Sequence, residues 1–511
     1  MTAGSSAGTS ARLDRDTRRS AALGGLPSRA AAPILLLALT AILCVRGLGE
    51  KSLWHDESFT AAVASSDADT FRRSLVQQES FAALYYSVIR LAAPLTTSEA
   101  GLRAPSVAFA LLTTLACYAL ARRLFGFRTA VVATLLLSVN LHFVQYAQEA
   151  RAYALVLWLV TLAGWALVRA VQRPTWPTWL AFGAISAAAA YAHFFAVFVL
   201  AGQLLSLLAL RSAVPWRRVA AAAGLASVLV LPLAVVLLRT SAGARPQLAQ
   251  TSLAALPREL AGVEPSPLGA LQGLVYVLCA GGAVLALLRR RREEADPVRR
   301  WGYWLLACWL VVPVALAGLV SMLWPVFVTR YLLVCLPAVV LLVAVGLAMT
   351  RPALLAVLLV VVLLASAQGL HRYYVQSYKD GENWRGLVQH VATEAEPGDS
   401  VIFLSHLGRR PFEYYLTEHA GLASSLAAGY PSMPWYDYPP VVGEALLDQA
   451  GDGARLSAAE PDRVWAVLLW GGFGTDQDDG ASFARILANS YHQTDQRFYG
   501  RYLKLALFER S

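Results

Sequence analysis

Eleven apolar segments dominate the chain, near 31–48, 104–121, 129–146, 151–170, 176–192, 194–210, 217–238, 267–288, 301–323, 330–348 and 352–369. Each is roughly 17–23 residues long, about what an α-helix needs to cross the hydrocarbon of a bilayer. Lipid offers no partner for backbone N–H and C=O groups, so such runs must be helices. The 511 residues are 57% hydrophobic and only 15% charged, too apolar for a soluble globular protein of this size. The expected fold class is therefore a polytopic α-helical membrane protein.

Position matters more than sum in the formal net charge of +10. If the N-terminus is cytoplasmic and the ambiguous stretch 80–95 does not span, one pattern emerges. Arg122, Arg123 and Arg128, then Arg169 and Arg173, then Arg211, Arg217 and Arg218, then Arg289–Arg292, and finally Arg351 all fall in cytoplasmic loops. The opposite choice puts every one of them outside, against the retention of positive charge in the cytoplasm. Segment 80–95, with Arg90 in its interior, is then an interfacial or re-entrant helix in a first outer loop over 49–103. These basic groups are topology determinants and make no case for nucleic acid. Residues 1–30, rich in Ala, Gly, Ser and Arg, read as a disordered cytoplasmic tail. Residues 31–369 form the membrane domain. Cys44, Cys117, Cys279, Cys308 and Cys335 all lie in apolar segments and read as packing residues.

From about 370 to 511 the pattern changes. A helix after Trp384, a turn at Pro397-Gly398-Asp399, and strands at Ser400–Leu404 and Val464–Trp470 indicate a small α/β domain. With eleven spans this domain is extracytoplasmic, and Tyr430–Tyr438 reads as a loop within it. No internal repeat, Walker loop or dinucleotide fingerprint is present.

The chemistry-bearing residues collect at the outer ends of the spans. Asp56 and Glu57 follow the first span in Trp54-His55-Asp56-Glu57; adjacent carboxylates at a membrane surface are costly unless water, a cation or a substrate satisfies them. Gln148-Glu149-Ala150-Arg151, His193 and Thr329-Arg330-Tyr331 reach the same side. Plainer readings stand beside these. The acidic pair could be solvated or cap a helix, Glu149 and Arg151 could pair locally, Tyr153 could be packing, and Arg330 could snorkel. A transporter or lipid flippase is the rival class, and a non-catalytic binding protein the second.

These blocks, in this order, resemble polyprenyl-phosphate-dependent glycosyltransferases of the GT-C fold, the group that includes protein O-mannosyltransferases and lipid A aminoarabinose transferases. Besides Trp54–Glu57, the resemblance rests on Leu84-Tyr85-Tyr86, Ser98–Ser106, Tyr146–Tyr153, Ala192-His193-Phe194, Arg330-Tyr331-Leu332 and Asn383-Trp384-Arg385. It covers about residues 31–390. Two departures are visible: Phe81-Ala82-Ala83 stands where a Pro-Pro pair is usual, and Glu382-Asn383 where an Asp commonly precedes the Trp-Arg pair.

The resemblance implies an inner (plasma) membrane enzyme that moves a hexosyl or pentosyl group from a polyprenyl-phosphate donor to a hydroxyl of a lipid, protein or envelope-glycan acceptor. It implies Asp56 as general base, with inversion at the anomeric carbon. Glu57 would orient Asp56, bond the acceptor or hold a cation, and Glu149 would be a second carboxylate. Arg330 and His193 would meet the phosphate. His55, Arg151, Tyr153 and Tyr331 would line the substrate pocket, and Arg103, Tyr85 and Tyr86 the lipid groove. No cofactor is required, and a divalent ion at Asp56/Glu57 stays open. The sugar, the acceptor and the oligomeric state are not legible.

The arginine asymmetry makes a direct prediction. A cysteine introduced at position 480 should be labelled from outside intact cells by a membrane-impermeant maleimide, and one at position 294 should be protected. The reverse pattern would overturn the eleven-span topology.

Overall fold

The computed structural model describes residues 31–77, 80–92, 98–240, 256–289, 296–322, 328–376, 381–404, 406–417, 419, 421, 426, 428–430, 451–469 and 487–511. The expected tail over 1–30, the middle of loop 239–266, most of the basic run after Arg289 and most of the aromatic stretch after Tyr430 lie outside the described residues.

All eleven apolar segments are helical. Helix α1 (Ala31–Val45) leads into a short crossing of the surface, followed by α2 (His55–Ser65), α3 (Ala68–Gln77) and α4 (Ala83–Ala92). The bundle continues through α5 (Glu99–Phe125), α6 (Phe127–Ser138), α7 (Leu141–Ala147), α8 (Tyr153–Gln172), α9 (Trp176–Ala192), α10 (Ala196–Ser206) and α11 (Trp216–Thr240). After α12 (Leu256–Ala261) come α13 (Pro267–Arg289), α14 (Pro297–Ser321), α15 (Leu336–Ala348) and α16 (Pro352–Val375). Among the described residues, seven helices are individually long and apolar enough to cross a membrane. The segment expected at 129–146 is a pair, α6 and α7, bent by 62°, which would make an eighth span. Segments 31–48 and 194–210 fold as the shorter apolar helices Ala31–Val45 and Ala196–Leu210.

Burial separates the helices by environment. The span ending in α15 has a mean hydropathy of 2.7 with 83% of its window buried, whereas α11 has 2.5 with only 11% buried. An apolar helix turned almost wholly outward is stable only against lipid, so α11 faces the bilayer and α15 is the bundle's axis. Over its described residues, segment 80–95 folds as a shorter apolar helix, in the same length class as Ala31–Val45 and Ala196–Leu210. After a short 3₁₀ turn at Ser80–Ala82, α4 buries Tyr85, Tyr86 and Ile89 against the bundle. Its interior Arg90 donates to the Ser66 carbonyl at 2.9 Å and lies 4.4 Å from the Phe71 ring, tying α4 to the α2–α3 turn.

Helix approach is set by small residues, as in other membrane bundles. A Cβ added to Gly346 on α15 would lie 2.1 Å from the Cys279 carbonyl oxygen on α13, and one on Gly183 would lie 2.5 Å from the Ala222 carbonyl oxygen.

The C-terminal part builds a five-stranded sheet in the order β2-β1-β3-β5-β4. Its strands are β1 (Ser400–Phe403), β2 (Ala428–Tyr430), β3 (Arg463–Leu469), β4 (Tyr491–Phe498) and β5 (Leu503–Arg510). β1 pairs parallel with β2 and β3, and β5 pairs antiparallel with β3 and β4. Helix α17 (Trp384–Glu394) precedes β1 and α18 (Arg409–Leu416) follows it. In the turn before β1, Gly398 adopts a φ of 101°, and Asp399 accepts bonds from the Glu396 amide and the Trp465 indole.

This domain clamps the first loop. The Tyr415 hydroxyl accepts from the Leu53 amide at 2.7 Å and donates to Glu99, while Arg385 donates to the carbonyls of Gly49 and Glu50 and pairs with Glu99.

The close approach at Gly346 predicts a cost. Gly346→Ala should destabilise the bundle by about 1–3 kcal/mol, the usual penalty of overpacking, seen as earlier thermal unfolding in detergent. An unchanged unfolding temperature would show that α13 and α15 are not locked here.

Candidate active site

Asp56 and Glu57 occupy the first turn of α2, where the helix dipole favours negative charge. They are neighbours in sequence yet face different surroundings, because successive helical residues point about 100° apart.

Glu57 is fully buried. Arg103 of α5 meets it with Nε to Oε1 at 2.8 Å and Nη2 to Oε2 at 2.7 Å, and Oε1 also accepts from the Ala150 amide at 2.8 Å. The remaining Arg103 donors go to the carbonyls of Leu48 at 2.8 Å, Lys51 at 2.9 Å and Ser52 at 3.2 Å. All five guanidinium hydrogens are thereby used. One buried ion pair thus holds the first outer loop, α5 and the Glu149–Arg151 turn together.

Asp56 turns the other way, with its side chain 22% exposed. Arg151 Nη2 lies 3.6 Å from Oδ2, and His55 Nε2 lies 3.5 Å from Oδ1. Burial would raise its pKa, but Arg151, His55, Arg330 and Arg410 outweigh burial and bring it from 3.8 down to about 2. The sign follows: this carboxylate stabilises the fold above its ordinary range, and the contribution is lost as pH falls towards about 2.

Around Asp56 the other groups are held by named partners. His55 Nδ1 lies 2.7 Å from Glu382 Oε1, and its amide donates to Oε2 at 3.0 Å. Glu382 is itself fully buried and takes the Trp384 indole at 2.6 Å. Arg151 Nη1 donates to the Tyr86 hydroxyl at 2.7 Å. Tyr85 turns to α5, its hydroxyl 3.1 Å from Ser106 Oγ. Glu149 is buried in the Gln148–Arg151 turn, and the Gln148 side chain donates to carbonyls at the end of α1 and just beyond it.

His193, Tyr153 and Tyr331 form an aromatic wall, with His193 and Tyr331 ring centroids 4.8 Å apart and Tyr153 and Tyr331 6.5 Å apart. His193 Nδ1 accepts from the Phe195 amide at 3.3 Å, and burial with Arg151 and Arg330 nearby pushes the ring down to about 3, so it is neutral. Tyr86, Arg151, Tyr153, His193 and Tyr331 line one tight cavity with Phe81. Arg330 reaches over from the start of its span, its guanidinium 5.7 Å from the Trp54 ring. Among the described residues, Arg330 Nε and Trp54 Nε1 are buried with no hydrogen-bond acceptor.

Thus Asp56, His55, Arg151, Tyr86, Tyr153, His193, Arg330 and Tyr331 come together, as the sequence blocks suggested. Glu57 and Arg103 are instead bound to each other, so the two adjacent carboxylates do not form one chelating pair. Among the described residues no three His, Cys, Asp or Glu side chains converge on a position that could hold a metal ion. Three contributors escaped the sequence reading. Trp54 was visible in the motif but was given no role. Glu382 was visible only as a departure from the usual Asp. Arg410, which lies 4.5 Å from the Phe59 ring and acts on Asp56, arrives only through docking of the C-terminal domain.

The buried pair predicts an asymmetry. Arg103→Met leaves the Glu57 charge buried without its counterion and should cost about 3–5 kcal/mol, whereas Arg103→Met with Glu57→Gln should recover much of it. Thermal unfolding of the single and double variants measures this. An unaffected Arg103→Met protein would refute the keystone role.

Residues 82–238 match the family described as dolichyl-phosphate-mannose-protein mannosyltransferase. In fold the chain is similar to ArnT from Cupriavidus metallidurans, both in the apo state (TM-score 0.61, 13% identity, 95% of this chain and 98% of that chain) and bound to undecaprenyl phosphate (0.59, 13%, 93% and 97%). It is also similar to the oligosaccharyltransferase AglB from Archaeoglobus fulgidus in complex with an inhibitory peptide and a dolichol-phosphate (0.54, 10%, 93% and 74%). No curated protein matches the chain in sequence. These findings do not favour a transporter or flippase. Family match and fold point the same way: residues 82–238 are similar to the dolichyl-phosphate-mannose-protein mannosyltransferases, and the chain shares the GT-C fold of ArnT and AglB.

Proposed function

We propose that the chain transfers a hexosyl or pentosyl group from a polyprenyl monophosphate to an acceptor hydroxyl on the extracytoplasmic side of the plasma membrane, with inversion. In this reading residues 31–369 form the catalytic membrane domain, and 370–511 lie outside with it. The observation that carries the proposal is the setting of Asp56: an ionised carboxylate facing Arg151 and Arg330, beside two buried donors, Arg330 Nε and Trp54 Nε1, that no described residue satisfies. Unsatisfied buried donors are costly, and a phosphate oxygen would satisfy both.

The roles then divide. Arg330 and Trp54 hold the donor phosphate and stabilise the charge that grows on it as the bond from the anomeric carbon to the phosphate oxygen breaks. The acceptor oxygen attacks the opposite face of that carbon, and its proton passes to Asp56. Glu57 positions α2 without touching substrate, and His55 is steadied by Glu382 against Asp56. A pKa of about 2 makes Asp56 a weak base when the site is empty. Donor phosphate adds negative charge and engages the cations that depress it, so Asp56 becomes more basic once the donor is seated.

The test is single-turnover transfer to detergent-extracted envelope glycolipids and glycans from a synthetic undecaprenyl-phosphate sugar, with undecaprenyl-phosphate binding measured separately. Asp56→Asn should lose about 10²–10⁴-fold in rate and keep donor binding. Arg330→Ala should lose donor binding. Near-normal transfer by Asp56→Asn sinks the base assignment, and unchanged donor affinity in Arg330→Ala sinks the phosphate seat.

A further inference from the structure

A second cationic site lies at the ends of α5 and α8 remote from Asp56. Arg122 and Arg123 sit in the last turn of α5, and Arg169 and Arg173 in the last turn and at the cap of α8. Trp165 stands beside them, its ring centroid 5.9 Å from the Arg123 guanidinium carbon and 5.3 Å from that of Arg169. Their remaining contacts are neutral: Arg123 donates to the Gln172 amide oxygen at 2.6 Å, and Arg122 to the Tyr118 hydroxyl at 3.0 Å. Among the described residues none of the four arginines has a carboxylate at ion-pair distance. A cavity of about 540 Å³ opens here, lined by Tyr118, Ala119, Arg122, Arg123 and Trp165.

Topology accounts for positive charge on this face, but it does not require convergence. Arginines spread along a loop would satisfy it equally. Arg122 and Arg123 at one cavity, Arg169 at the shared indole and Arg173 close enough to act on Arg123, with no described acid to offset them, repel one another until an anion arrives.

We propose that this cavity binds the phosphate-bearing headgroup of an anionic membrane phospholipid. The depth fits, because the cavity lies where two spans end and a Trp and a Tyr mark the interface. The donors fit, because planar guanidinium forks match phosphate oxygens. The path fits as well. Leu112 and Leu115 are exposed on α5, and the spacing Leu112, Leu115, Ala119, Arg122 places them on the cavity's helix face. An acyl chain lying on those leucines delivers its headgroup to Arg122. The site is ~30 Å from the Arg103–Glu57 pair, at 1.5 Å per residue along α5, so it is independent of the transfer reaction.

Purified protein in phosphatidylcholine nanodiscs, titrated with phosphatidylglycerol and read by native mass spectrometry, tests the proposal. Wild type should hold phosphatidylglycerol about tenfold or more tightly than phosphatidylcholine, and Arg123→Gln with Arg169→Gln should erase the difference. Arg123→Lys with Arg169→Lys should keep only part of it, because an ammonium lacks the fork. Thermal unfolding in phosphatidylcholine checks that the variants are folded. Should the glutamine pair fail to fold, the wild-type comparison decides alone. Equal binding of the two lipids by wild type overturns the proposal, as does undiminished selectivity in the glutamine pair. Inorganic phosphate binding as strongly as the lipid would also overturn it, by making this a site for a free anion.

Discussion

The face of this protein that carries Asp56 depends on one buried ion pair. Removing Arg103 and Glu57 from water is expensive, and a single salt bridge rarely repays that cost. Here the cost is offset by saturation. Arg103 makes five hydrogen bonds, two to Glu57 and three to the backbone of the Leu48–Ser52 segment, and Glu57 takes an additional bond from the Ala150 amide. Those segments are far apart in sequence and have little regular structure of their own between Val45 and His55. The pair is the direct buried tie of the start of α2 to α5 and to the turn carrying Glu149 and Arg151; the Arg151–Asp56 contact and the bridges through Tyr415 and Arg385 add to it. The position of Asp56 therefore follows from a contact in which Asp56 takes no part.

That separation explains how two adjacent carboxylates differ in chemistry. Both enjoy the same helix N-terminus, and only direction distinguishes them. Glu57 points inward and is fixed by a bidentate partner, which makes it structural. Asp56 points toward Arg151, His55 and the aromatic wall of Tyr153, His193 and Tyr331, with part of its surface open. A group that exchanges protons must be reachable and must have neighbours whose charge can change on binding. Only Asp56 meets both conditions.

Much of this was legible from residues alone. The apolar runs gave helices, because lipid permits nothing else. The motif blocks gave the residues that gather at the outer face. What sequence could not convey was direction and docking. Adjacency in sequence left the role of Glu57 open between orienting Asp56, bonding the acceptor and holding a cation; the helical rotation that turns Glu57 to Arg103 and Asp56 away from it appears only in the fold. Arg410 carries no local signal, since its effect on Asp56 exists only once α18 packs on α2. Strand β4 was missed for another reason: it is an edge strand, mostly exposed, and its sequence Tyr491–Phe498 lacks an apolar face to alternate. Segment 80–95 was read as not spanning from the distribution of arginines between loops; its described part is a short apolar helix whose tyrosines are buried more deeply than an interfacial helix requires.

The C-terminal domain is therefore part of the site. Glu382 lies just before α17, fully buried, and accepts from the Trp384 indole on one side and from the His55 amide on the other. Its second oxygen faces the His55 ring, whose far nitrogen faces Asp56. A carboxylate so placed orients the imidazole and turns its far nitrogen toward Asp56. Tyr415 binds the first loop at Leu53, and Arg385 binds the carbonyls of Gly49 and Glu50, so that three contacts from the domain converge on the segment preceding Asp56. Any movement of the domain on the bundle must shift His55 and Arg410 together, and with them the field at Asp56.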